Sequence, residues 1–121
     1  MKAGEFVMKM FHARTSAHTL HLRSRSYSQH MALFTFYDEI VELTDTYAEV
    51  YQGQYGLIAA YPPKYTVYEN PEVMLQDVLD YIAEERSEYD LYAKEDTHLS
   101  NIVDEIVALT SQTLYKIRNL K

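Results

Sequence analysis

Cysteine is absent from this chain of 121 residues, so neither a disulfide nor a thiolate metal site is available to it. Tryptophan is absent as well. No apolar run approaches the ~18 residues of a membrane-spanning helix, so no span is expected. Lys9, His12 and Arg14 interrupt the amino-terminal stretch, which therefore lacks the pattern of a signal peptide. Glycine and proline number three each, and Gly53, Gly56, Pro62 and Pro63 fall within one short stretch. Basic residues are outnumbered 18 to 11, for a net charge of −7. Residues 1–30 carry a net +4 and residues 31–121 a net −11. A strong DNA binder needs a basic footprint that displaces counterions, so DNA binding is not expected. There is no nucleotide-binding loop, nucleophile elbow or zinc-protease motif, and no internal repeat.

What remains is a chain that is 47% hydrophobic, too apolar for disorder and of a length for one domain over 1–121. Apolar residues recur at spacings of three and four, which predicts helices over about 3–24, 28–51, 71–93 and 97–120. The first has a stripe through Val7, Met10, Phe11, Ala17, His18 and His21. The second has a broad face from Leu33 and Tyr37 to Tyr47 and Tyr51. Asn70-Pro71 reads as the cap and first turn of the third, and Thr97 as the cap of the fourth. Residues 52–70 contain helix breakers yet are rich in tyrosine, leucine and isoleucine. Nineteen residues is long for a loop in a compact domain. A crossover joining parallel second and third helices explains that length, because it must travel the height of a bundle. The expected fold is all-α, a ferritin-like four-helix bundle with a long crossover between helices 2 and 3.

The residues suited to chemistry are His18, His30, Asp45 and Glu49, spaced His18-x11-His30-x14-Asp45-x3-Glu49. Imidazole and carboxylate together suit iron, zinc or manganese. On one helix His30 and Asp45 stand roughly 22 Å apart, at ~1.5 Å per residue. Ligands of one ion lie within a few ångströms of one another. The four residues therefore make one site only if two copies meet. His21, three residues after His18, is a further candidate ligand or supporting donor. Glu95-x-x-His98 falls at a helix start and reads as capping.

This spacing, with the run Asp45-Thr46-Tyr47-Ala48-Glu49, resembles the Dps proteins, the miniature ferritins of bacteria. The likeness extends over about residues 7–120 and includes Glu95-Asp96-Thr97 at the start of the last helix. It implies that His18 and His30 of one subunit face Asp45 and Glu49 of its twofold partner, with iron(II) oxidised between them by peroxide or oxygen. It also implies a homo-oligomer, at least a dimer and up to a dodecameric storage shell. Phe34 stands where that family places a second-site aspartate, which favours one good site over two and weakens ferroxidase activity. Thr19 follows His18 where the family often has tryptophan, and the long basic tail of some members is missing.

A second resemblance is compatible with the first. Phe11-His12-Ala13-Arg14-Thr15, His18-x2-His21-Leu22 and Tyr51-Gln52-Gly53-Gln54-Tyr55-Gly56 are similar to a family of small proteins of tailed bacteriophages, ferritin-like and without an established role. It implies a location in the host cytoplasm or the virion. The leading expectation is a Dps-like iron-binding protein. The alternative is a non-enzymatic phage assembly or interaction protein with a relic metal site.

Overall fold

Among the described residues, four helices account for most of the chain. The computed structural model describes residues 2–63, 66–88 and 96–121. The helices are α1 (Lys2–Arg23), α2 (Tyr27–Tyr55), α3 (Pro71–Glu88) and α4 (Thr97–Asn119), with no strand among the described residues. The fold is an all-α four-helix bundle. No described helix is long and apolar enough to cross a membrane.

Each helix forms because its apolar positions recur on one side. Phe6, Val7, Met10, Ala13, Ala17 and Leu20 of α1 are buried, as are Leu33, Phe36, Ile40 and Tyr47 of α2. Met74, Leu75, Val78 and Ile82 of α3 meet Leu99, Val103, Ile106, Leu109, Leu114 and Ile117 of α4. Each such side chain contributes about 1.5–3 kcal/mol when fully buried. Thr44, Thr110 and Thr113 are buried too, and each donates its hydroxyl to the carbonyl four residues back, at 2.7–2.8 Å. Their polarity is thereby satisfied inside the core.

Local chemistry sets the ends. Ser26 caps α2 by accepting from the Gln29 amide. Asn70 caps α3 through the Val73 amide, with Pro71 in the first turn, as the sequence predicts. Two expectations are corrected. Helix α2 runs to Tyr55, past Gly53, and stops at Gly56, whose φ of 89° suits a residue without a side chain. The cap of α4 is Asp96, and Thr97 is its first helical residue. Helix α3 is described to Glu88, so its expected stretch to 93 lies outside the described residues, as does Glu95.

Helix α1 packs on α2 and α3, and α4 packs on the same two helices. His21 beside His30 and Phe6 beside Tyr47 make α1 and α2 antiparallel. Arg86 bonded to Ser100 and Asp104, and Arg118 paired with Glu72, make α3 and α4 antiparallel. The 56–70 connection touches α1 at successive heights. Ala60 and Ile58 lie on Gly4, the Thr66 carbonyl accepts from Ser16 at 3.5 Å, and Glu69 pairs with Arg23. At Gly4 a Cβ would run into the Ala60 carbonyl oxygen, so only glycine lets the connection seat there. Lys9 and Tyr68 converge on the Asp77 carboxylate and tie connection, α1 and α3 together.

Candidate functional site: imidazoles and acids on the α1–α2 face

The turn between α1 and α2 brings three histidines together. His21 Nδ1 lies 2.6 Å from the His30 carbonyl oxygen, and His30 Nδ1 lies 2.8 Å from the His21 carbonyl oxygen. A carbonyl only accepts, so both Nδ1 atoms carry their hydrogens when the rings are neutral. Each Nε2 then keeps its lone pair for an acceptor or metal role, the usual arrangement of a metal-ligating histidine anchored by its other nitrogen. The two rings stack with centroids 3.5 Å apart and planes 21° from parallel.

His18 joins this cluster from one turn back on α1, its ring 6.1 Å from that of His21. It stacks on Tyr37 at 4.3 Å, and Tyr37 stands edge-on to His21 at 5.3 Å. Phe34 closes the group, 5.4 Å from Tyr37 and 6.1 Å from His21. His21 is buried, while His18 and His30 are half-buried. Sequence reasoning gave His21 as a further candidate ligand or supporting donor. The structure makes it the middle ring of the cluster, in direct contact with His30.

Asp45 and Glu49 lie far along α2. Both are exposed, and both line a groove of about 500 Å³ with Met8, Phe11, Gln52 and Tyr61. Among the described residues, no group of three or more histidines, aspartates or glutamates is placed to hold a metal within one copy. The structure thus brings His18, His21 and His30 together and leaves Asp45 and Glu49 apart from them, as the helical distance requires. At about 100° per residue, Asp45 lies about 60° round α2 from His30 and Glu49 about 100°. Phe34, Val41, Ala48 and Gln52 fall between or beside them, so one face of α2 carries the imidazole at one end and the acids at the other.

The aromatic ladder Tyr47–Tyr51–Tyr55 runs up the far half of α2, with ring centroids 6.1 and 4.9 Å apart. Burial pushes the Tyr47 hydroxyl well above the ordinary phenol range, with Tyr51, Tyr81 and Tyr55 adding to the shift. At the ladder's end, Tyr55 and Gln54 donate to Asp96, and these bonds hold its carboxyl below the usual carboxylate range. The His98 ring meets the Gln54 side-chain oxygen. The expectation that Glu95-x-x-His98 is no metal motif concerns Glu95 too, which lies outside the described residues.

No curated protein and no solved structure matches this chain. The model of one family covers residues 21–117, which includes His21, His30, the acids, α2 and α3 in full, and α4 as far as Ile117. The chain therefore belongs to that family, a family of unknown function (DUF5856).

Proposed function

We propose that this chain is a Dps-like iron-binding subunit whose metal site closes between two copies. The single observation behind this reading is the layout of the α2 face: anchored imidazoles at one end and exposed acids at the other. If two α2 helices pair antiparallel about a twofold axis between Tyr37 and Asp38, His30 of each copy stands opposite Asp45 of the other. His18 and His30 would then supply nitrogen, and Asp45 and Glu49 of the second copy would supply oxygen and neutralise the ion. His21 holds His30 through the carbonyl bond and is the nearest further donor.

The apolar content of the face supports such a pairing. Phe34 is 39% exposed and, with Met8, Phe11 and Val41, offers surface that a second copy would cover. Phe34 brings no donor atom, so the reading has one good metal position and slow oxidation of iron(II) by peroxide or oxygen. Iron fits the mixed nitrogen–oxygen set, and zinc or manganese would bind to the same atoms. The 56–70 connection, which touches α1 near both its ends, supports the ferritin-type crossover on which this likeness rests. A host-cytoplasmic or virion location and a shell of up to twelve subunits belong to the same proposal.

Iron(II) titration with oxidation followed optically tests it. Saturable binding is expected in wild type and lost in His30→Ala/Asp45→Ala. Equal binding by that variant, or none by wild type, sinks the metal reading. A second reading has its own support. The reciprocal His21–His30 bonds fully occupy both Nδ1 atoms in fastening the hairpin, which is reason enough for both residues. On that reading the chain is a phage assembly or interaction protein, and iron(II) leaves no optical or binding signal.

A further inference from the structure

A second groove lies on a different side of α2, against α4. It measures about 610 Å³ and has an apolar floor of Leu43, Ala108 and Leu109 under a rim of Glu39, Glu42 and Glu105. Among the described residues, none of these three glutamates makes an ion pair. Glu39 and Glu42 sit about 180° and about 120° round α2 from His30, and the α4 side of the groove takes no part in the imidazole face.

The α4 side of the groove continues beyond it. Glu105, Ala108, Leu109 and Gln112 share a face of the helix with Tyr115, Lys116 and Asn119, all within about 80° of one another's mean line. That face begins acidic, is small in the middle and ends basic and aromatic. Lys116 has no ion pair among the described residues, and Tyr115 is 58% exposed. Such a face is complementary to its own reverse. Turned antiparallel about a point near residues 110 and 111, Glu105 meets Lys116, Leu109 meets Gln112, and Ala108 lets the helices approach.

We propose that a second copy of this chain docks on the α2/α4 groove through an antiparallel α4–α4 contact, with Glu105 of each copy paired to Lys116 of the other. The contact is isologous and closes on itself. It is separate from the face used in the metal proposal and adds to it. Two different twofold faces on one subunit let a pair of chains recruit further copies.

Sedimentation velocity in the presence of a chelator, at low and at ~0.5 M salt, tests the contact. Glu105→Lys sets like charges against each other and is expected to weaken self-association at least ~10-fold. Glu105→Lys/Lys116→Glu restores opposite charges and is expected to recover the wild-type mass. Far-UV circular dichroism confirms that each variant is folded. A wild-type mass indifferent to Glu105→Lys overturns the contact, and so does a charge swap that fails to recover while the fold is intact. His30→Ala/Asp45→Ala separates the two proposals. Loss of iron binding in that variant with retained sensitivity of its mass to Glu105→Lys supports this contact, and loss of iron binding there with a mass indifferent to Glu105→Lys overturns this contact and leaves the metal reading standing.

Discussion

At the scale of single residues, His21 matters more than its place in any motif suggests. Its ring and its carbonyl are both used by His30, and the reverse is also true. Removing either ring breaks one of the two hydrogen bonds and the stack, and takes the imidazole donor from a carbonyl at the turn. His21→Ala is expected to cost about 1–3 kcal/mol, read as a fall in thermal midpoint of ~4 °C per kcal/mol. Because the pair acts as a unit, His30→Ala in the His21→Ala background is expected to cost far less than it does alone. Costs additive within about 0.3–0.5 kcal/mol would show that the two rings do not act together. The candidate ligands themselves were legible from spacing. The reciprocal bonding of positions 21 and 30 was not, because it depends on how tightly residues 24–26 turn, and no residue pattern states that angle.

At the scale of elements, Asp96 is a polar joint between α2 and the start of α4. Tyr55 and Gln54 both donate to its carboxylate, which lowers its carboxyl pKa in the folded chain. A group of that kind contributes stability above its unfolded pKa of ~3.9, and the contribution is lost as pH falls through the lower folded value. Asp77, held down by Lys9 and Tyr68 against the opposing effect of burial, acts in the same direction. The thermal midpoint is therefore expected to drop steeply below about pH 4, and less steeply in Asp96→Asn. Parallel pH profiles for the two proteins would remove Asp96 as the cause. The same joint explains why α2 runs past the end that pattern reading gives it. Gly53 costs a helix interior about 1 kcal/mol, which argues for stopping at 51. The side chains of Gln52, Gln54 and Tyr55 offset that cost through partners at Ile58, Tyr61 and Asp96, all distant in pattern terms. The four helices themselves were legible, since each has a buried stripe of period 3.6 that needs no tertiary information to see.

At the scale of the whole molecule, aromatic hydroxyls deep in the bundle link global stability to alkali. Burial pushes the Tyr47 hydroxyl up, and burial with the nearby Glu85 and Glu5 carboxylates does the same for Tyr81. Their folded values lie above the unfolded one, so their contribution is complete below pH ~10 and fades as pH rises beyond it. Phenolate absorbance from this pair is expected to arrive together with loss of helical ellipticity. Tyr47→Phe/Tyr81→Phe is expected to hold its helices to higher pH. An unchanged alkaline midpoint in that variant would place the trigger elsewhere. Charge asymmetry acts at this scale too. A subunit of net charge −7 repels its copies, and only contacts that set unlike ends together, as both proposed faces do, offset that repulsion.

The notch at Gly4 has a consequence for what the chain tolerates. A bare backbone there gives the long connection a single height at which to dock, because a side chain of any size would strike the Ala60 carbonyl. The smallest residue in the first helix thus acts as a registration stop. It touches no proposed ligand, yet it has less freedom to vary than the histidines do.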